Sequence, residues 1–363
     1  MRDDSQRIRP PAISKGFSVS RLIEETFLAY NSARLREAAR LLATRVMKDK
    51  VTVGLSLSGA LTPAGIGASC LVPLLENGFV DYVISTGANL YHDLHHGLDM
   101  AMFAATPHAD DRELRRRSLV RIYDIVFDYD VLLKTDEFIY ALIETPGFQK
   151  TMGTAEFHNM LGRAVSERAG ALATTDRSVL AAAFKAAVPV YTSSPGDSSI
   201  GMNIAARRLR GVGPVIDPSI DVNETAAVVL ESKKTGGRSA AWIVGGGSPK
   251  NFLLQTEPQI QEILKIKESG HDYFLQITDA RPDTGGLSGA TPSEAYTWGK
   301  VSEEGLPRMV ICYLDATVAL PLLTAYLMDN CRPRPLKRLY ERREEMVREL
   351  TRRAFEARGE SHG

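Results

Sequence analysis

Cysteine is scarce in this chain of 363 residues. Cys70, Cys312 and Cys331 lie far apart and form no CxxC pair. That excludes a disulfide framework or a cysteine-built zinc cage and fits reduced thiols. An excess of one charge is also missing, since 44 basic residues face 44 acidic ones. A nucleic-acid partner, which leaves a basic excess, is therefore not expected. No apolar run is long enough for a membrane: "ATVALPLLTAYLM" contains a proline and falls short of the ~20 residues a span needs. The opening "MRDDSQRIRPPAISKG" is charged and has no apolar h-region, so a signal peptide is not expected and a cytoplasmic location is. Internal repeats, a GxGxxG fingerprint and an HExxH zinc motif are absent too.

What the chain does contain is one theme, used six times. The short apolar runs "VTVGLSL" (51–57), "FVDYVIS" (79–85), "AAVPVYT", "AAWIVGGG" (240–247), "DYFLQIT" (272–278) and "PRMVICYL" (307–314) each lead into a cluster of small and polar residues. Unbroken apolar strands alternating with helices predict an α/β fold, a Rossmann-like parallel sheet of about six strands buried on both faces. Ligands in such folds bind at the carboxyl ends of the strands, where the clusters fall. The remainder is assigned to the same single domain, 1–363. Residues 1–17 are expected to be mobile. A helix capped by Ser18 or Ser20 is expected to run to Lys48. Residues 95–185 read as a mainly helical insertion. Residues 332–359 read as a charged C-terminal helix, solvated or touching another subunit, with Glu344–Arg348 and Glu349–Arg353 in the favourable i,i+4 order.

Several strand ends could carry chemistry, and each has a plainer alternative. In "WIVGGGSPKN", Gly245, Gly246 and Gly247 would let a phosphate approach the backbone, with Ser248 and Pro249 opening a helix; a tight turn explains them equally well. "SLSGALTPAG" and "STGAN" are weaker versions. In "YHDLHH", His92 and His96 share a helix face, but no third zinc ligand can be named, so no metal is expected and a hydrogen-bonding histidine is the preferred reading. Asp197 in "SSPGDSSIG" suits a turn or a ribose hydroxyl, and Asp315 suits a helix cap. In "SEAYTWGK", Lys300 follows Trp298 and Gly299, with Glu294 six residues earlier. Either its ammonium is solvated, or the indole walls off an amine that must lose its proton to react.

"TGGLSGATPSEAYTWGK", "WIVGGGSPK", "SLSGALTPAGI", "VDYVISTGAN" and "DATVALPLL" together resemble deoxyhypusine synthases, most of all the divergent deoxyhypusine synthase-like proteins of bacteria. The resemblance spans roughly residues 45–328. It implies an NAD-binding fold, a homotetramer, and transfer of an aminobutyl group from a polyamine through an imine on Lys300. The acceptor would be a protein lysine or, as in homospermidine synthases, a small amine. It places Ser58, Gly59, Thr86, Gly87, Ala88, Asp197, Asp279, Ala280, Asp315 and Ala316 against NAD beside the glycine loop, and Glu294 and Trp298 against the amine. Departures fall in the amine pocket. Thr284, Leu287 and Met202 stand where the family has acids, His92 replaces a glutamate and Asn251 a histidine. Asp283, beside Gly285 in the same loop, is the nearest compensating carboxylate. Polyamine charges buried without partners are costly, so a substrate with fewer charges is expected.

Overall fold

Strand residues two apart face the same way, and here both directions end in apolar packing. The computed structural model describes residues 7–172 and 178–359. Its main sheet comprises β1 (Val51–Leu57), β2 (Tyr82–Ser85), β3 (Val190–Thr192), β4 (Arg238–Val244), β5 (Tyr273–Thr278) and β6 (Met309–Tyr313). Along β4, Ala240, Trp242 and Val244 enter one core, while Ala241 and Ile243 enter the other. The first core is completed by Leu320, Leu323 and Leu327 of the helix Ala316–Asn330. The second takes Val228 and Leu230 of the helix Pro218–Ser232, with Met346 and Leu350 of the helix Arg343–Arg358. Gly54 in β1 is required by this packing: a Cβ there would sit 2.3 Å from the Tyr82 ring.

The strands are all parallel and ordered β6-β5-β4-β1-β2-β3. The chain winds outward from β1 to β3, then resumes on the other side of β1. The winding reverses between β1 and β4, paired from Val51 with Arg238 to Leu57 with Val244. Loops leaving the carboxyl ends of these two strands diverge and open the crevice where such folds bind ligands. No helix among the described residues is long and apolar enough to cross a membrane.

Three expectations need correction. The helix expected from Ser18 to Lys48 does start on a Ser18 cap, but it breaks after Thr26. Phe27 turns to pack on the first core and Ala29 is extended before Tyr30–Leu41 resumes. The 95–185 region holds long helices, Tyr129–Ile143 and Thr154–Leu172, and also a three-stranded antiparallel sheet of Phe103–Ala104, Leu119–Ile122 and Ile125–Asp128. Its hairpin turns on Tyr123 at φ +53° without a glycine, so the usual turn signal is missing. The C-terminal helix begins only at Arg343, because Pro333 and Pro335 keep the preceding segment out of a helix. Glu349 pairs with Arg352 rather than Arg353. Residues 1–6 of the segment expected to be mobile, and 173–177 of the insertion, lie outside the described residues.

Candidate active site

Ser58 ends β1 and meets the glycine loop that ends β4. Its hydroxyl donates to the Gly246 carbonyl and accepts from the Gly246 N–H at 3.1 Å. Gly245 is at φ +82°, where side chains are strained. Gly246 runs so close to Ser288 that a Cβ would fall 2.4 Å from its Cα. By contrast a Cβ on Gly59 would meet nothing within 4 Å, so this glycine borders open space. Thr86 donates to the Gly59 carbonyl at 2.6 Å and caps the helix Gly87–Gly97. Gly87 packs on Ser198, leaving 2.4 Å to its hydroxyl for any Cβ; Asp197, exposed, is next in the chain. Asp315 caps the helix Ala316–Asn330 by accepting from the Thr317 N–H at 2.8 Å. Asp279 is exposed just beyond β5, and the Ala280 N–H donates to the Thr278 hydroxyl at 3.1 Å. Strand ends and helix starts thus line one edge of the sheet, with the helix starts at Gly87 and Ala316 on it, while the Gly247 N–H is taken by the Ser288 hydroxyl at 2.9 Å.

The lysine is presented by a helix ending. Thr291 and Glu294 form a capping box at the start of Pro292–Thr297. At the other end Gly299, at φ +65°, donates its N–H to the Tyr296 carbonyl, and Lys300 donates its N–H to the Ala295 carbonyl, both at 3.0 Å. This is a Schellman stop, which needs the left-handed glycine and throws the next residue sharply aside. The His271 N–H then donates to the Lys300 carbonyl at 3.0 Å, fixing the turn to the start of β5. The Lys300 side chain enters a cavity of about 280 Å³ lined by Lys250, Asn251, Leu254, Gln255, Leu287, Ala290, Thr291, Glu294, Ala295 and Trp298. Its Nζ lies 5.5 Å from the centre of the Trp298 ring and donates to Asn251 Oδ1 at 3.4 Å. Burial holds the amine below the ordinary lysine range, partly offset by Glu262.

The structure therefore brings Lys300, Trp298, Glu294 and Asn251 together. It treats the other amine-site candidates differently. Glu294 Oε2 is occupied by the Thr291 N–H and hydroxyl, leaving one oxygen for a ligand. Asp283 is exposed and ion-paired with Arg281 at 3.0 Å, and Gly285 is exposed at φ +73°; neither lines the cavity. His92 stands apart from it, edge-on to Tyr91 and His95, with burial pushing it down to about 4. Leu287 does line the cavity. The sequence reading missed Lys250 and Gln276. Lys250 is 3% exposed, yet a signal existed: with Pro249, Leu253 and Leu254 it falls on the buried stripe of its helix. Gln276 is the polar residue in the otherwise apolar "YFLQIT".

Comparison with known proteins supports the same reading of the whole chain. Residues 22–327 match the family model described as deoxyhypusine synthase. A deoxyhypusine synthase-like protein of Nostoc punctiforme is 59% identical over 345 residues, 95% of this chain and 88% of that protein. Another, of Thermosynechococcus vestitus, is 60% identical over 346 residues, 94% and 86% of the two chains. "Probable deoxyhypusine synthase 2" of Methanosarcina acetivorans is 33% identical over 321 residues, 88% and 89% of the two. A solved structure assigned to deoxyhypusine synthase of Entamoeba histolytica superposes with a TM-score of 0.56 at 12% identity, over 90% of this chain and 98% of that one, and so shares the fold. By its matched residues and its relatives alike, the chain belongs to the deoxyhypusine synthase family.

Proposed function

We propose that this protein is an NAD-dependent aminoalkyl transferase that carries the moving group as an imine on Lys300. The observation behind this reading is the placement of Lys300: a partly desolvated amine beside the Trp298 indole, bonded to Asn251 of the helix that follows β4, where the winding reverses between β1 and β4. Ser58, Gly59, Thr86, Gly87, Ala88, Asp197, the glycine loop, Asp279, Ala280, Asp315 and Ala316 would hold NAD. The open space at Gly59 and the helix starts at Gly87 and Ala316 fit its ribose and phosphates. When bound, NAD would supply hydride removal and return at the carbon beside the donor amine, leaving a net transfer.

The remaining work falls to the chain. An ordinary lysine is neutral about once in a few thousand molecules at pH 7, and each unit by which burial lowers Lys300 raises that fraction about tenfold. Its neutral Nζ attacks the oxidised donor carbon and expels the donor's other amine, forming the lysine imine. An acceptor amine then attacks the same carbon, and Lys300 leaves. Asn251 orients the Nζ, Trp298 excludes water from one side, and the free oxygen of Glu294 receives a substrate ammonium. Thr284, Leu287 and Met202 supply no charge for further ammonium groups. This favours a small amine over a longer polyamine as donor or acceptor, although a protein lysine remains a chemically equivalent acceptor. A homotetramer, with a second copy over the exposed Trp298 and Leu287, belongs to the same reading.

The test is to incubate the protein with NAD and a panel of di- and polyamines, trap with borohydride, and map adducts by peptide mass spectrometry. The adduct is expected on Lys300. K300A should lose both adduct and transfer while binding NAD within about twofold of wild type. Transfer surviving in K300A would remove the mechanism. No adduct with any amine would leave an NAD-binding protein without turnover.

A further inference from the structure

Lys250 is an almost fully buried ammonium with no carboxylate bonded to it among the described residues. Its Nζ donates to Gln276 Oε1 at 2.9 Å and to the Ala290 carbonyl at 2.6 Å. Gln276 is fully buried, and its amide donates to the Gly245 carbonyl at 2.9 Å and the Ser288 carbonyl at 2.7 Å. The Gly247 N–H donates to the Ser288 hydroxyl at 2.9 Å. One cation and one amide thus stitch the glycine loop to Ser288–Ala290, the segment leading into the helix that ends in Lys300. Lys250 also lines the same cavity as Lys300, so two amines share one space.

We propose that Lys250 is a positioning residue for Lys300: it locks the glycine loop to the segment leading to the lysine helix, and as a fixed cation it disfavours a second ammonium in the cavity. This rests on the reading of Lys300 as the nucleophile. Two acceptors fix the Lys250 amine in place, whereas Lys300 has one acceptor at 3.4 Å. Burial pushes the Lys250 amine down to about 8; Glu294 opposes this and the Lys300 charge adds to it, as expected where two cations compete. Around Lys300 the other charges are Glu262, from the turn Gln259–Ile263, which favours its proton, and Glu294 on its own helix. Lys250, on the helix Gly247–Leu254, is the cation that shares the cavity with it.

The experiment reads the amine without any turnover. The full-length protein is reductively alkylated with butyraldehyde and cyanoborohydride across pH 6–10, and modification of Lys300 is followed by peptide mass spectrometry. K250M removes the cation, and Q276E neutralises it with a carboxylate. Each should slow alkylation of Lys300 at pH 7.5 by about tenfold, equivalent to one unit in its midpoint. K250R keeps the charge and should stay within about threefold of wild type. Circular dichroism checks folding; if K250M does not fold, the contrast between Q276E and K250R decides. Wild-type rates in K250M and Q276E, or K250R as slow as K250M, would overturn the role of Lys250 alone. A wild-type Lys300 no faster than surface lysines would overturn the nucleophile reading, and this one with it.

Discussion

A single buried carboxyl behind the lysine turn carries a pH signature. Glu257 is fully buried; its Oε2 accepts from the Gln261 amide at 3.2 Å, and that amide also donates to the Gly299 carbonyl at 2.9 Å. Oε1 has no hydrogen-bond partner among the described residues. Burial pushes Glu257 up to about 8, with Lys233 opposing. A raised carboxyl binds its proton more tightly folded than unfolded, so its contribution is full at low pH. It is lost as pH rises from the ordinary 4.5 through about 8. E257Q should therefore flatten the decline in stability between pH 5 and pH 8.5 by on the order of 4 kcal/mol, measured by urea unfolding at both pH values. An unchanged decline would place the titration elsewhere. At this scale the sequence was readable where a motif spelled out the role, as with Lys300, Trp298, Glu294 and Asn251. It was silent on Glu257 and gave Lys250 only a place on an apolar helix stripe; the significance of both is their burial, which depends on packing from distant segments.

Among the elements, the helix Pro292–Thr297 is short and held at both ends by local chemistry. G299A would force a Cβ into the left-handed region, at about 1–2 kcal/mol, and place it 3.0 Å from Gln261 Oε1. The expected result is a modest fall in melting temperature with a larger loss of transfer, about tenfold or more in kcat, because the next residue is Lys300. Equal, small effects on both would mean that the turn does not aim the lysine. Elements were legible to the degree that their causes were local. "VTVGLSL" is β1 in full, since an unbroken β-branched and leucine run admits little else. The antiparallel hairpin escaped because Tyr123 occupies a conformation that glycine usually advertises. The C-terminal helix was overextended because charge periodicity continues through prolines that cannot follow it.

For the molecule as a whole, the fastening is a strap formed by residues 331–338. Arg334 donates to Asp81 at 2.9 Å, with both side chains at most 3% exposed, and also to the carbonyls of Gly78 at 2.6 Å and Val51 at 2.8 Å. Lys337 adds a bond to the Val51 carbonyl at 2.6 Å. Asp81 in turn accepts from the Val53 N–H at 2.7 Å. R334A would leave the buried carboxylate with only the longer ion pair to Lys337 at 3.5 Å and should cost about 3 kcal/mol in denaturant unfolding, with D81N/R334M recovering part of it. A loss below about 1 kcal/mol would show that the strap only covers the sheet. The parallel six-stranded sheet was foreseeable from the alternation of apolar runs and helices; the strap was not, because its meaning lies in a contact across 253 residues.

That separation also imposes a timetable. Asp81 and the first strand leave the ribosome 253 residues before the guanidinium that neutralises the carboxylate. Until then the segments already made can assemble their strands but cannot dehydrate Asp81 cheaply. The edge beneath β1 and β2 is sealed only once residue 334 has emerged, so a chain cut short before it carries its own unpaired charge.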